Sequence, residues 1–150
     1  MVEAKIFVAA VLLGVSGLAA DVASASVAPS SKTLKVNATG SGVAGAMGMK
    51  TSGYARGTFT VNTSTNKICY RISDHGLGAV RAAHIHAGKK GIDGGVVLTL
   101  NVKAFNATSK SPACVTVTGA VAKSVFKFPS AYYFDVQTGA YPNGAVRAQL

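Results

Sequence analysis

At 150 residues the chain has the length of one domain with a modest core. Fifteen Lys and Arg against five Asp and Glu give a formal charge of +10, which implies attraction to acidic polysaccharide, teichoic acid, anionic lipid or nucleic acid and equally fits a solvated basic surface. Beyond the first 25 residues the only acids are Asp74, Asp93 and Asp135, and they offer no obvious carboxylate pair or ordered Ser/His/Asp constellation for hydrolysis.

Residues 1–25 read as a secretory signal peptide. A short charged start to Lys5 precedes an apolar run from Ile6 to Ala20, and Ala23-Ser24-Ala25 supplies a small-x-small cleavage pattern. The run falls short of the roughly 20 residues a transmembrane helix needs. No later segment is apolar enough to span a bilayer, and export puts intracellular nucleic acid out of reach. Residues 26–32 form a small, polar, flexible lead-in, and the domain occupies 33–150.

Thr33 to Thr39 alternates as a half-buried strand. Gly40 to Met49 is rich in small residues and reads as a loop that conceals either a bulged edge strand or close backbone packing. Tyr54–Asn62 and Lys67–Ser73, joined by the polar cluster Asn62-Thr-Ser-Thr-Asn66, predict a hairpin. Asp74 to Val80 is a loop carrying His75 and feeding a strand that contains His84 and His86. Gly88-Lys-Lys-Gly-Ile-Asp-Gly-Gly95 is a turn; it lacks the Gly-Lys-Ser/Thr ending of a phosphate-binding loop. Val96–Val102, Ala113–Thr118, Ala131–Thr138 and Ala145–Leu150 are further strands, the last two joined through Tyr141-Pro-Asn-Gly144 as a β-turn. One short helix fits Thr118 to Phe128, bounded by Pro129. About eight short strands with almost no helix predict an all-β antiparallel fold, a β-sandwich of the Ig-like, Greek-key type or a barrel.

Cys69 and Cys114 are the only cysteines. In an oxidising compartment an even pair in strand-like segments most simply forms one disulfide, the alternative being two buried thiols. Neither sits beside a His or in a Cys-x-x-Cys motif, which argues against a catalytic thiol.

Strand periodicity turns His84 and His86 to one face and Ile85 to the other. Two imidazoles at this spacing form a common half-site for zinc or copper; the alternative is a pair of histidines hydrogen-bonded to backbone or carboxylate. Asp135 and Gln137 share a face on a later strand. If the two strands meet, these four side chains and His75 form one polar cluster.

The succession Ala83-His-Ile-His-Ala-Gly88, Gly94-Gly-Val-Val97, Tyr132-Tyr-Phe-Asp-Val-Gln-Thr138, Tyr141-Pro-Asn-Gly144 and Val146-Arg-Ala-Gln-Leu150 resembles the CHRD domain, named for its occurrence in chordin. The resemblance covers roughly Thr33 to Leu150 and implies a secreted or surface-exposed β-sandwich with no well-established catalytic activity. Family members commonly carry a histidine where this chain has Gln137, a poor ligand for zinc or copper. The terminal strand has Ala145 and Ala148 where the family tends to show Glu and Gly. Arg147 remains, and is expected to pair structurally with one of the few acids.

Two functions are weighed. The first is an exported, non-enzymatic structural or binding module, without a cofactor, that associates with anionic polysaccharide or another cell-envelope polymer. The second is a secreted zinc or copper protein with His84, His86 and His75 as ligands and Asp135 or water completing the shell. Gln137 favours a hydrogen-bonded cluster with at most weak metal binding. Superficial likeness to copper/zinc superoxide dismutase is discounted because three histidines are too few for two metals.

Overall fold

The structure, a computed structural model, describes residues 29–43 and 51–150. The expected signal peptide lies outside them, as do residues 44–50 of the small-residue stretch.

Eight strands form: β1 Ser31–Thr39, β2 Tyr54–Asn62, β3 Lys67–His75, β4 Val80–Ala87, β5 Val96–Thr99, β6 Ala113–Thr116, β7 Tyr132–Thr138 and β8 Val146–Gln149. Helix α1, Gly119–Lys127, lies between β6 and β7. All strand pairs are antiparallel, in the order β5-β4-β7-β8-β1-β2-β3-β6. The antiparallel all-β expectation therefore holds, but the connectivity gives one sheet curled into a half-barrel instead of the two sheets of a Greek-key sandwich. The sheet becomes continuous at a single residue pair, Thr39 of β1 opposite Arg147 of β8.

Period-two alternation decides which side of each strand is buried. On β1, Leu34, Val36 and Ala38 are buried while Thr33, Lys35 and Asn37 are exposed, the pattern expected where one sheet face packs on a core and the other meets water. Phe59 of β2 and Phe134 of β7 meet edge-to-face with ring centroids 5.3 Å apart, so the curl brings the two halves of the sheet together across one core. Burying an aromatic pair in this geometry stabilises beyond its area, by about 0.5–1.5 kcal/mol. Thr118 caps α1 by accepting from the Val121 amide at 3.3 Å, and Pro129 follows the helix. The helix buries Ala122 and Val125.

β6 ends at Thr116, two residues earlier than expected, β7 and β8 differ from expectation by a residue at their ends, and three further boundaries differ for reasons the pairing and turn contacts show. β1 begins at Ser31, inside the expected lead-in, because Ser31 pairs with Asn62. β3 runs through His75, which pairs with Tyr54 instead of opening a loop. β5 stops at Thr99, where Asn101 turns the chain by accepting from the Lys103 amide at 3.1 Å. At Gly42 a Cβ would lie 2.2 Å from the Arg147 carbonyl oxygen, so this part of the small-residue stretch serves close backbone packing.

Cys69 and Cys114 form the expected disulfide, joining directly opposed residues of β3 and the edge strand β6. A disulfide of this kind implies a non-reducing environment. Among the described residues no helix is long and apolar enough to cross a membrane.

Candidate metal centre

β4 and β7 are neighbours, and their inward positions, Ala83, Ile85, Phe134 and Val136, are fully buried core. Alternation consequently sends His84, His86, Tyr133 and Asp135 to the outer side of the sheet. The register sets His84 opposite Asp135, His86 opposite Tyr133, and Asp135 opposite Arg147.

An outward position would ordinarily be wet, yet these side chains are buried because the loop 88–95 folds over them. Arg147 fastens that loop, donating to the Lys89 and Ile92 carbonyls at 2.9 and 2.8 Å and to Asp93 Oδ1 at 2.9 Å. The Gly94 amide donates to the Tyr133 hydroxyl at 3.2 Å, and Gln149 donates to the Gly88 carbonyl at 2.7 Å. The Arg147 guanidinium lies 3.4 Å from the centre of the Tyr133 ring, which in turn stacks on His86 at 4.7 Å and 4°.

Three ligand atoms converge beneath the loop. His84 Nδ1 lies 3.5 Å, and His86 Nε2 3.2 Å, from the same oxygen, Asp135 Oδ1. All three lie within 4.8 Å of one another. The side chains of His84, His86 and Asp135 are 15%, 10% and 7% exposed. Each of these three atoms is buried without a hydrogen-bond partner. An orphaned buried polar atom costs about 1–3 kcal/mol, so three at one point need a common explanation.

The tautomer of His86 supplies part of it. Its Nδ1 lies 2.9 Å from the Gly94 carbonyl oxygen, which can only accept, so Nδ1 carries the proton and neutral His86 presents a bare lone pair at Nε2. That lone pair faces a carboxylate oxygen, which is also an acceptor. Two acceptors at 3.2 Å repel unless a cation lies between them. Ligands at about 2.0–2.1 Å from a tetrahedral ion sit about 3.3–3.4 Å from one another, and the two imidazole–carboxylate separations, 3.2 and 3.5 Å, bracket that edge. The donor set, two imidazole nitrogens and one carboxylate oxygen, suits zinc or copper. Outer contacts are in place as well: Gly94 holds His86, and Gln137 Nε2 donates to Asp135 Oδ2 at 3.3 Å.

Of the residues singled out from sequence, the structure brings together His84, His86, Asp135 and Gln137. His75 does not join them. It is exposed on β3, in the other half of the sheet, with its ring stacked on Tyr54 at 5.4 Å. Arg147 takes the expected acidic partner, Asp93. Sequence reasoning missed Tyr133 and the Gly94 carbonyl. The alternation Tyr133, Asp135, Gln137 was visible; backbone acceptors leave no trace in a side-chain pattern.

Residues 18–150 match the model of the CHRD domain family. No curated protein and no solved structure matches the chain.

Proposed function

Since the chain belongs to the CHRD-domain family, we propose that it is a non-enzymatic binding module that works outside the cytoplasm and holds a zinc or copper ion at His84, His86 and Asp135. The observation that carries the metal reading is the convergence of three buried atoms with no hydrogen-bond partner, one of them turned toward the carboxylate by the Gly94 carbonyl at the other side of its ring. A purely hydrogen-bonded cluster would leave these atoms satisfied. Gln137 is no ligand in this reading; it orients the carboxylate from its other oxygen. Three protein ligands leave one tetrahedral position for water or an exogenous donor.

Export is supported by the apolar N-terminal run with its small-x-small pattern and by the disulfide. The basic excess supports a second capacity, association with anionic cell-envelope or extracellular polymers.

Thermal unfolding of metal-stripped protein with and without zinc or copper tests the metal reading. At free metal one hundred times the dissociation constant, mass action adds about 2.7 kcal/mol, which raises the midpoint by several degrees. His84→Ala and His86→Ala are expected to abolish that rise, and His75→Ala to keep it. No response of the unaltered protein to either metal, or an undiminished response in His84→Ala, rejects the proposal.

A further inference from the structure

The lysines and arginines look evenly scattered along the sequence, yet strand parity sorts them in space. On β1, β2 and β3 the inward positions are Leu34, Val36, Ala38, Ala55, Phe59, Val61, Ile68, Tyr70 and Ile72, all buried. The cations of these strands that alternate against them, Lys35, Arg56, Lys67 and Arg71, therefore share the outer side, and all four are exposed. No acid shares it. Asp74 is in register with Ala55 on the opposite parity and accepts from Asn106 Nδ2 at 2.8 Å. Asp93 is engaged by Arg147, and Asp135 lies under the loop 88–95.

The register gives this surface a regular spacing. Lys35 and Arg71 both lie opposite Thr58, and Arg56 stands two residues before Thr58. With about 4.8 Å between strands and about 3.4 Å per residue along them, the three cations form a triangle with sides of about 8–10 Å. Side-chain hydroxyls and amides fill the space between: Asn37, Thr58, Thr60 and Ser73. On the same side, towards β8, a groove of about 590 Å³ continues the polar surface, lined by Asn37, Thr39, Ser41, Lys90, Arg147 and Gln149.

We infer that the outer side of β1–β2–β3, carrying Lys35, Arg56, Lys67 and Arg71 and running into this groove, is a docking surface for an acidic polysaccharide. Charge complementarity selects a polyanion, and the hydroxyls and amide between the cations, exposed at Asn37 and Ser73 and half-buried at Thr58 and Thr60, match the hydrogen-bonding groups of sugar rings. A bilayer fits less well, because the exposed large hydrophobic side chains among the described residues, Ile92, Val96 and Phe128, do not belong to β1, β2 or β3. A single-stranded nucleic acid would draw on free aromatic platforms for its bases. The aromatic residue here, Tyr54, is already covered by Arg56 at 4.4 Å and His75 at 5.4 Å. This inference rests on the proposed association with anionic polymers and does not depend on a bound metal.

Salt-gradient elution from immobilised heparin, in the presence of EDTA, tests it on the full mature chain. The double variant Lys35→Ala/Arg71→Ala is expected to elute at clearly lower salt, and the slope of log affinity against log salt to fall by about two, one per lost contact with a linear polyanion. Lys67→Ala should move the same way by less. The control Lys123→Ala/Lys127→Ala removes the same charge from α1 and is expected to shift elution much less. Equal shifts in the two doubles would reduce the effect to net charge and overturn the assignment of the surface. Absence of retention on heparin, or tight binding to phosphatidylglycerol vesicles with weak retention on heparin, would overturn the polysaccharide. Since EDTA is present throughout, failure here leaves the metal test unaffected, and failure of the metal test leaves this one standing.

Discussion

Asp135 separates a metal centre from a protonated ion pair more sharply than either histidine does. Its Oδ1 faces two ring nitrogens, and the proton on His86 is fixed on the far side of the ring by Gly94. Asp135→Asn exchanges one acceptor for an amide that can donate to the His86 lone pair. Metal-free Asp135→Asn is therefore expected to be as stable as the unaltered protein or about 1 kcal/mol more stable, the net worth of a hydrogen bond gained where repulsion stood. The same variant should lose its midpoint rise with zinc or copper. Were His86 an imidazolium held by the carboxylate, this substitution would destabilise by about 1.5–3 kcal/mol, so denaturant unfolding without metal decides between the two. At this scale the sequence was informative about the histidines and about Asp135, since alternation alone put each on a side. It misled about His75, because proximity in sequence was read as proximity in space. β3 carries that residue into the other half of the sheet, beside Tyr54.

The loop 88–95 is the element on which the centre depends. Its sequence reads as a turn with paired lysines, and nothing in the spacing says that it folds back over an outer sheet surface. The reason lies in Gly94, where a Cβ would sit 1.6 Å from the Ala87 carbonyl oxygen. Only a residue without a side chain lets the loop return so close to the strand it left, and that return delivers the carbonyl that orients His86. Gly94→Ala should displace the loop and free the His86 ring, weakening metal affinity about 10–100-fold, as the loss of an outer hydrogen bond to a ligand does. Isothermal titration of zinc into both proteins measures this, and unchanged affinity would show that the loop only covers the site. Elements with strong period-two patterns, β2 above all, were legible to the residue. β3 and β5 were not, because pairing with Tyr54 extends one and Asn101 turns the chain after the other.

For the molecule as a whole, eight antiparallel strands could be read from alternation, whereas the way they close could not. One curled sheet and two stacked sheets demand the same inward hydrophobic positions, and the difference lies in which strand edges meet. Nor could the clustering of cations be seen before strand partners were known: Lys35, Arg56 and Arg71 are distant in sequence and become neighbours only through the register around Thr58.

The junction between the two halves has a mechanical consequence. β1 and β2 are matched over nine residue pairs from Ser31–Asn62 to Thr39–Tyr54, whereas β1 and β8 meet at one. A ladder opens where fewest rungs resist, so the first cooperative excursion from the native state should part the molecule along this seam, leaving each four-stranded half zipped. Arg147 is the rung itself, and it also fastens the loop above the histidines. An ion gripped beneath that loop would therefore act as a latch on a hinge it does not touch. Amide exchange followed residue by residue should show β8 exchanging ahead of β2 in the metal-free protein and slowing selectively when zinc is added. Uniform slowing across all strands would mean that the halves separate only when the whole chain unfolds.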